Sequence, residues 1–97
     1  MSQVSLYVRM IAKPGKEQAV AEFLQSAVPL VQAEPRTLSW FAIQESPNEF
    51  SIFDTFADEA GRDAHLNGEV AKALMAHADE LLAEPPVIHK HTILATK

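Results

Sequence analysis

The chain has 97 residues, 47% apolar and 22% charged, with a net charge of -5 and no cysteine. That length makes one domain, 1–97, and the charge argues against nucleic acid as a partner because no basic stripe exists to neutralise phosphates. Without cysteine there is no disulfide framework, no thiolate catalysis and no zinc–thiolate site. The opening MSQVSLYVRMIAKPGK lacks the basic start and continuous apolar run of a signal peptide, and no apolar run is long enough to span a bilayer. The expectation is a cytoplasmic protein with no membrane partner.

In chain order, 4–12 alternates as a strand, with Val4, Leu6, Val8 and Met10 on one face and Tyr7, Arg9 and Ile11 on the other. Pro14-Gly15 turns the chain. Residues 16–33 read as a helix with Val20, Phe23, Leu24, Ala27 and Val31 in one stripe, kinked or irregular at Pro29 and ended by Glu34-Pro35. TLSWFAIQE, 37–45, and FSIFDTF, 50–56, form a hairpin pair around Ser46-Pro47-Asn48-Glu49. Asp58 caps a short helix over 59–66, with Asn67-Gly68 expected as a left-handed C-cap. A second helix carries Val70, Leu74, His77, Ala78 and Leu81 on one stripe, stops at Glu84-Pro85-Pro86, and leads to a last strand over 87–95.

The order βαββαβ predicts an α+β, ferredoxin-like fold: a four-stranded antiparallel sheet with both helices on one face. Within 37–45, Leu38 and Trp40 point one way while Phe41 and Ile43 point the other. A sheet apolar on both faces but covered on one needs a second cover, and another copy of the chain is the economical one. A homodimer packed sheet to sheet is therefore expected.

The segments VRMIAKPGKEQAVAEFL, AEPRTLSWFAIQESP, FSIFDTFADEAGRDAHL and LLAEPPVIHKHTIL together resemble the antibiotic biosynthesis monooxygenase (ABM) domain, a branch of the dimeric α+β barrel superfamily. The resemblance runs over 4–94. It implies a dimeric barrel with a mostly apolar pocket between sheet and helices. Characterised members include oxygenases that act on aromatic polyketides or quinols with O2 and with no metal, flavin or haem, so no cofactor is expected. Others degrade haem or process small signalling molecules. His65, in DAHL, matches a histidine common at this place in the family. The anthrone-oxygenase type carries an asparagine and a tryptophan where this chain has Ile52 and Phe56. The haem-degrading type carries Asn, Trp and His where this chain has Tyr7, His65 and Leu74. Neither catalytic set carries over directly.

Cofactor-free oxygenation needs a base to make an electron-rich anion, a dry aromatic cavity, and a donor to steady the developing charge. His65 is the favoured base because its ordinary pKa lies near neutrality. Asp54, a carboxylate amid the aromatics of IFDTF, is the second catalytic candidate; it would orient a histidine or Tyr7, or pair with Arg9 as structural glue. Trp40, Tyr7, Arg9, Phe56 and His77 are the candidate substrate contacts, though His77 on an apolar stripe also reads as a core histidine, and Tyr7 and Arg9 as dimer-face residues. His89 and His91 share one face of the last strand, but no third metal ligand is visible. The reading is a monooxygenase for a small aromatic, quinol or polyketide-like substrate. An isomerase or degradative enzyme for a small carbonyl metabolite, or a non-catalytic ligand-binding barrel, are the alternatives.

Overall fold

The computed structural model describes residues 3–97; Met1 and Ser2, the start of the N-terminal segment read above, lie outside them. The elements are β1 (Val4–Ile11), α1 (Glu17–Ser26), α2 (Val28–Gln32), β2 (Thr37–Gln44), β3 (Glu49–Phe56), α3 (Glu59–Leu66), α4 (Glu69–Leu81) and β4 (Val87–Thr92). The four strands form one sheet in the order β2-β3-β1-β4, antiparallel throughout. The ferredoxin-like α+β architecture is thus as expected. Among the described residues no helix is long and apolar enough to cross a membrane.

Strand alternation decides which residues meet the helices. Leu6, Val8 and Met10 of β1 and Phe50, Ile52 and Phe56 of β3 are buried on the inner face, beneath Val20 and Leu24 of α1 and Val70, Leu74, Ala78 and Leu81 of α4. Each large apolar side chain so buried contributes about 1.5–3 kcal/mol. The outer face carries Phe41, Ile43 and Val87, which are 58%, 45% and 46% exposed. A bulge at Leu38 shifts the register between Thr37 and Ser39, which sets Trp40 opposite Asp54 and Phe41 opposite Phe53. Leu38 is therefore the extra residue of the bulge rather than a simple face-mate of Trp40.

Two local expectations are corrected. The helix expected over 16–33 is two helices: α1 ends at Ser26, and α2 restarts with Pro29 in its first turn, where a missing N–H costs nothing. Asn67 and Gly68 have φ of -100° and -92°, so neither is left-handed, and Gly68 is instead the N-cap of α4. The glycine is needed for space: a Cβ there would stand 2.9 Å from Glu34 Oε2 and 3.2 Å from the His65 carbonyl oxygen.

At the other end of α3, Asp58 Oδ1 accepts a 2.8 Å hydrogen bond from the Gly61 N–H, as the sequence led us to expect. Asp58→Ala is expected to lower stability by about 1 kcal/mol in urea denaturation. No change in midpoint would mean that the cap bond is not made in solution.

Candidate functional site

Asp54 lies in the middle of β3 on the inner face, with Leu6 of β1 and Trp40 of β2 as its cross-strand neighbours. It is a carboxylate at 0% exposure within an apolar layer. Such a group requires a counter-charge. His65, in the last turn of α3 and 7% exposed, supplies it: Nε2 stands 3.0 Å from Asp54 Oδ2. The other imidazole nitrogen, Nδ1, stands 2.6 Å from Glu34 Oε1. Glu34 Oε1 also accepts a 2.7 Å hydrogen bond from Thr37 Oγ1. The Phe56 ring lies 5.4 Å from the imidazole, centroid to centroid.

Position on α3 is fixed from the sheet. Arg62 is buried, and its guanidinium donates 3.2 Å hydrogen bonds to the carbonyls of Ser5 and His91. These bonds tie α3 to β1 and β4, and they hold His65, three residues on, over Asp54.

A carboxylate at each nitrogen sets the charge of the imidazole. Burial alone would lower the His65 pKa, but the contacts to Asp54 and Glu34 outweigh it, so the value is raised above the usual 6.5. Burial raises Asp54 above its usual 3.8, with His65 offsetting part of that shift. The His65–Asp54 contact is close but poorly directed, and both Asp54 oxygens are buried without a hydrogen-bond donor among the described residues. The cluster is a histidine held toward its charged form between two carboxylates; both Asp54 oxygens and Glu34 Oε2 are buried without a hydrogen-bond partner among the described residues.

Both shifts are upward, so the folded chain holds more protons than the unfolded one above each ordinary value. The stabilisation from His65 is complete below its ordinary pKa and is lost as pH rises through its raised folded value; Asp54 acts in the same sense from its own ordinary value upward. Stability is expected to fall as pH rises above the ordinary His65 value of 6.5, and this fall should shrink in His65→Gln. Equal pH slopes for the two proteins in urea denaturation would contradict the assignment.

Two cavities meet at this cluster. A cavity of about 100 Å³ lies between the sheet and α4, with Leu6, Val8, Ile52, Asp54, His65 and Leu74 in its wall. A cleft of about 420 Å³ opens on the other side, walled by Leu30, Glu34, Arg36, Thr37, Ala64 and His65 among others.

Of the residues singled out from sequence, His65 and Asp54 come together, with Phe56 packed beside them. Trp40 neighbours Asp54 in the sheet but packs toward Ala27, Val31 and Val70, and its Nε1 is buried without a hydrogen-bond partner among the described residues. Tyr7 and Arg9 are not brought to the site. Leu6 and Val8 face the helices, so strand parity turns these two outward, where Tyr7 donates to Glu45 at 2.6 Å and Arg9 pairs with Glu49 at 2.5 Å. His77 is also elsewhere: the buried stripe of α4 is Val70, Leu74, Ala78 and Leu81, and His77 is exposed, 5.5 Å from the Phe23 ring. His89 and His91 stack 5.8 Å apart on the outer face, and among the described residues no group of three His, Cys, Asp or Glu could hold a metal ion.

Glu34 was missed. In sequence it marks only a helix end before Pro35, and nothing local reveals a partner 31 positions away. The one hint is that Pro35 drives Glu34 out of the helical region, which frees its side chain from the helix surface.

Comparison with known proteins places the chain. The model of the antibiotic biosynthesis monooxygenase family matches residues 4–77, and the chain belongs to that family. It is similar over its full length to the NE2512 protein of unknown function from Nitrosomonas europaea, at 56% identity with a TM-score of 0.98 over 94% of that chain. PA3566 from Pseudomonas aeruginosa, at 22% identity, has a TM-score of 0.81 over 98% of this chain and 97% of its own. Rv0793 from Mycobacterium tuberculosis, at 20% identity, has a TM-score of 0.86 over 98% of each chain. The latter two speak to the fold alone. No curated protein matches the sequence.

Proposed function

We propose that this chain is a cofactor-independent monooxygenase for a small phenolic or quinol substrate, with Asp54 as the base and His65 as the charge that holds it ready. The observation that carries this reading is Asp54 itself, a buried carboxylate with raised pKa and no well-directed hydrogen-bond donor among the described residues, in the wall of an apolar cavity. The base role passes from His65 to Asp54 because both imidazole nitrogens already face carboxylates.

In this mechanism Asp54 takes the acidic proton of a phenol or enol. The anion, steadied by the His65 imidazolium, gives one electron to dioxygen, and the radical pair combines at a ring carbon in a cavity that excludes water. The proton held on Asp54 returns to the terminal oxygen, and loss of water leaves a carbonyl. A phenol and dioxygen thus become a quinone and water, with every electron drawn from the substrate. Turnover under dioxygen labelled with heavy oxygen should place one labelled atom in the product and the other in water. An unlabelled product formed equally well under nitrogen would favour an isomerase, for which the same base would serve.

The working unit in this proposal is a homodimer in the cytoplasm. Phe41, Ile43 and Val87 leave the outer sheet face partly apolar, which supports sheet-to-sheet packing. Phe41→Glu is expected to shift the sedimenting species to monomer, and a wild type that sediments as a monomer would remove the dimer from the account.

A further inference from the structure

Resting on that reading, we propose that Glu34 is a positioning residue: from the cleft side of His65 it sets the pH range over which Asp54 works as a base. Asp54 and His65 lie in the wall of the small cavity, and His65 and Glu34 lie in the wall of the cleft. Among the described residues, His65 is the one side chain common to both walls. Its Nε2 faces Asp54 at 3.0 Å and its Nδ1 faces Glu34 at 2.6 Å. Glu34 takes no part in the cavity wall, so it acts on Asp54 through the imidazole and through the field of its charge.

Folding alone does not account for Glu34. One carboxylate is enough to balance a buried imidazolium, and Asp54 already supplies it. A second leaves the cluster with a net negative charge where Asp54 and His65 are both buried, which low-dielectric surroundings disfavour. Yet the second carboxylate is held in place. Its Oε1 accepts a 2.7 Å hydrogen bond from Thr37 Oγ1. Position 68 is glycine, where a Cβ would stand 2.9 Å from Oε2. Two elements of the chain thus keep against Nδ1 a charge that stability does not require, the pattern of a site tuned for chemistry.

The effect of that charge has a definite direction. Burial lowers the His65 pKa, and Glu34 joins Asp54 in raising it by favouring the imidazolium. Burial raises Asp54, and the Glu34 charge adds to the rise by disfavouring a second carboxylate nearby. Asp54 must be ionised to take the substrate proton, and His65 must be charged to steady the anion that forms. Activity therefore has an acid limit set by Asp54 and an alkaline limit set by His65. Removing the Glu34 charge moves both limits toward acid. The other charges near the imidazole are already engaged. Arg62, on the same helix, is held by the carbonyls of Ser5 and His91 and by Glu59. Arg36 and Glu69, also in the cleft wall, pair with Asp58 and Lys72.

The test takes two readouts on the wild type, Glu34→Gln and Gly68→Ala: the His65 imidazole titration by NMR, and the pH profile of oxygen uptake with hydroquinone above the buffer rate. In Glu34→Gln the His65 midpoint should fall and the whole kcat profile should move to lower pH, its maximum within about twofold of the wild type. A merely structural role would lower the rate at every pH and leave the profile in place. Gly68→Ala changes no charge, but its methyl displaces Glu34 Oε2, so both readouts should move the same way. Glu34→Asp, which restores the charge, should recover part of the shift. A His65 midpoint or a rate profile that stays in place in Glu34→Gln would overturn the inference. So would loss of activity at every pH, which would make Glu34 the base itself. A midpoint that falls in both variants while no protein consumes oxygen would sink the oxygenase reading and leave the hold of Glu34 on His65 standing.

Discussion

His65→Ala is expected to lower the folding free energy by about 3–5 kcal/mol near neutral pH, the usual loss when one member of a buried ion pair is removed. The imidazolium is the shared counter-charge of Asp54 and Glu34, which lie 3.0 and 2.6 Å from its two nitrogens. Alanine would leave Asp54 ionised at 0% exposure with no positive partner. The carboxylate escapes that cost by taking up a proton, so the destabilisation should ease in mild acid; it should also ease once pH passes the raised pKa of His65, where the wild type has itself lost the imidazolium. Adding Asp54→Asn to His65→Ala should recover part of the loss, because the orphaned charge is gone. Domains of this size hold about 5–15 kcal/mol in total, so the single variant is expected to unfold at much lower urea. A loss below about 1 kcal/mol would mean that the cluster is not ionised as described.

Asp54→Asn should behave in the opposite way, with little or no loss of stability and a large loss of activity. The amide keeps the shape of the carboxylate while removing a buried charge that both burial and the nearby Glu34 disfavour. His65 keeps Glu34 as a partner. An amide cannot accept the substrate proton, so kcat is expected to fall by about 10²–10⁴, the range for removal of a positioned base. This split between stability and rate separates a catalytic carboxylate from a structural one. If the variant unfolds more easily than the wild type yet turns over within about twofold of it, Asp54 is an ion-pair partner and nothing more.

How far the sequence reached follows the range of the interactions involved. Strand alternation and helical spacing are local, and they located β1, β2, β3 and the cap at Asp58 to within a residue or two; β4, expected over 87–95, ends at Thr92, and the irregularity expected at Pro29 is a break into two helices just before it. Asp54 was legible as an anomaly, a charge on the apolar face of IFDTF, and His65 was legible by its chemistry and by the family resemblance. Their pairing was only one of the roles open to Asp54. Other features depended on contacts between distant elements. The bulge at Leu38 changed which residues share the face of Trp40, and Tyr7 and Arg9 were left open between substrate contacts and dimer-face residues until the facing of Leu6 and Val8 turned them away from the helices. His77 lies one position off the buried stripe, a difference that helical spacing does not resolve at its edge. Glu34 and Gly68 were the least legible. Each is explained by the other, through a close approach that exists only once α2, α3 and α4 have docked.

The most direct test of the account is oxygen uptake by metal-stripped protein supplied with phenol or hydroquinone, wild type beside Asp54→Asn, with both checked for native circular dichroism. The account predicts uptake by the wild type with a quinone formed for each dioxygen consumed, and uptake near the buffer rate for the variant. Equal uptake by the two proteins would contradict it.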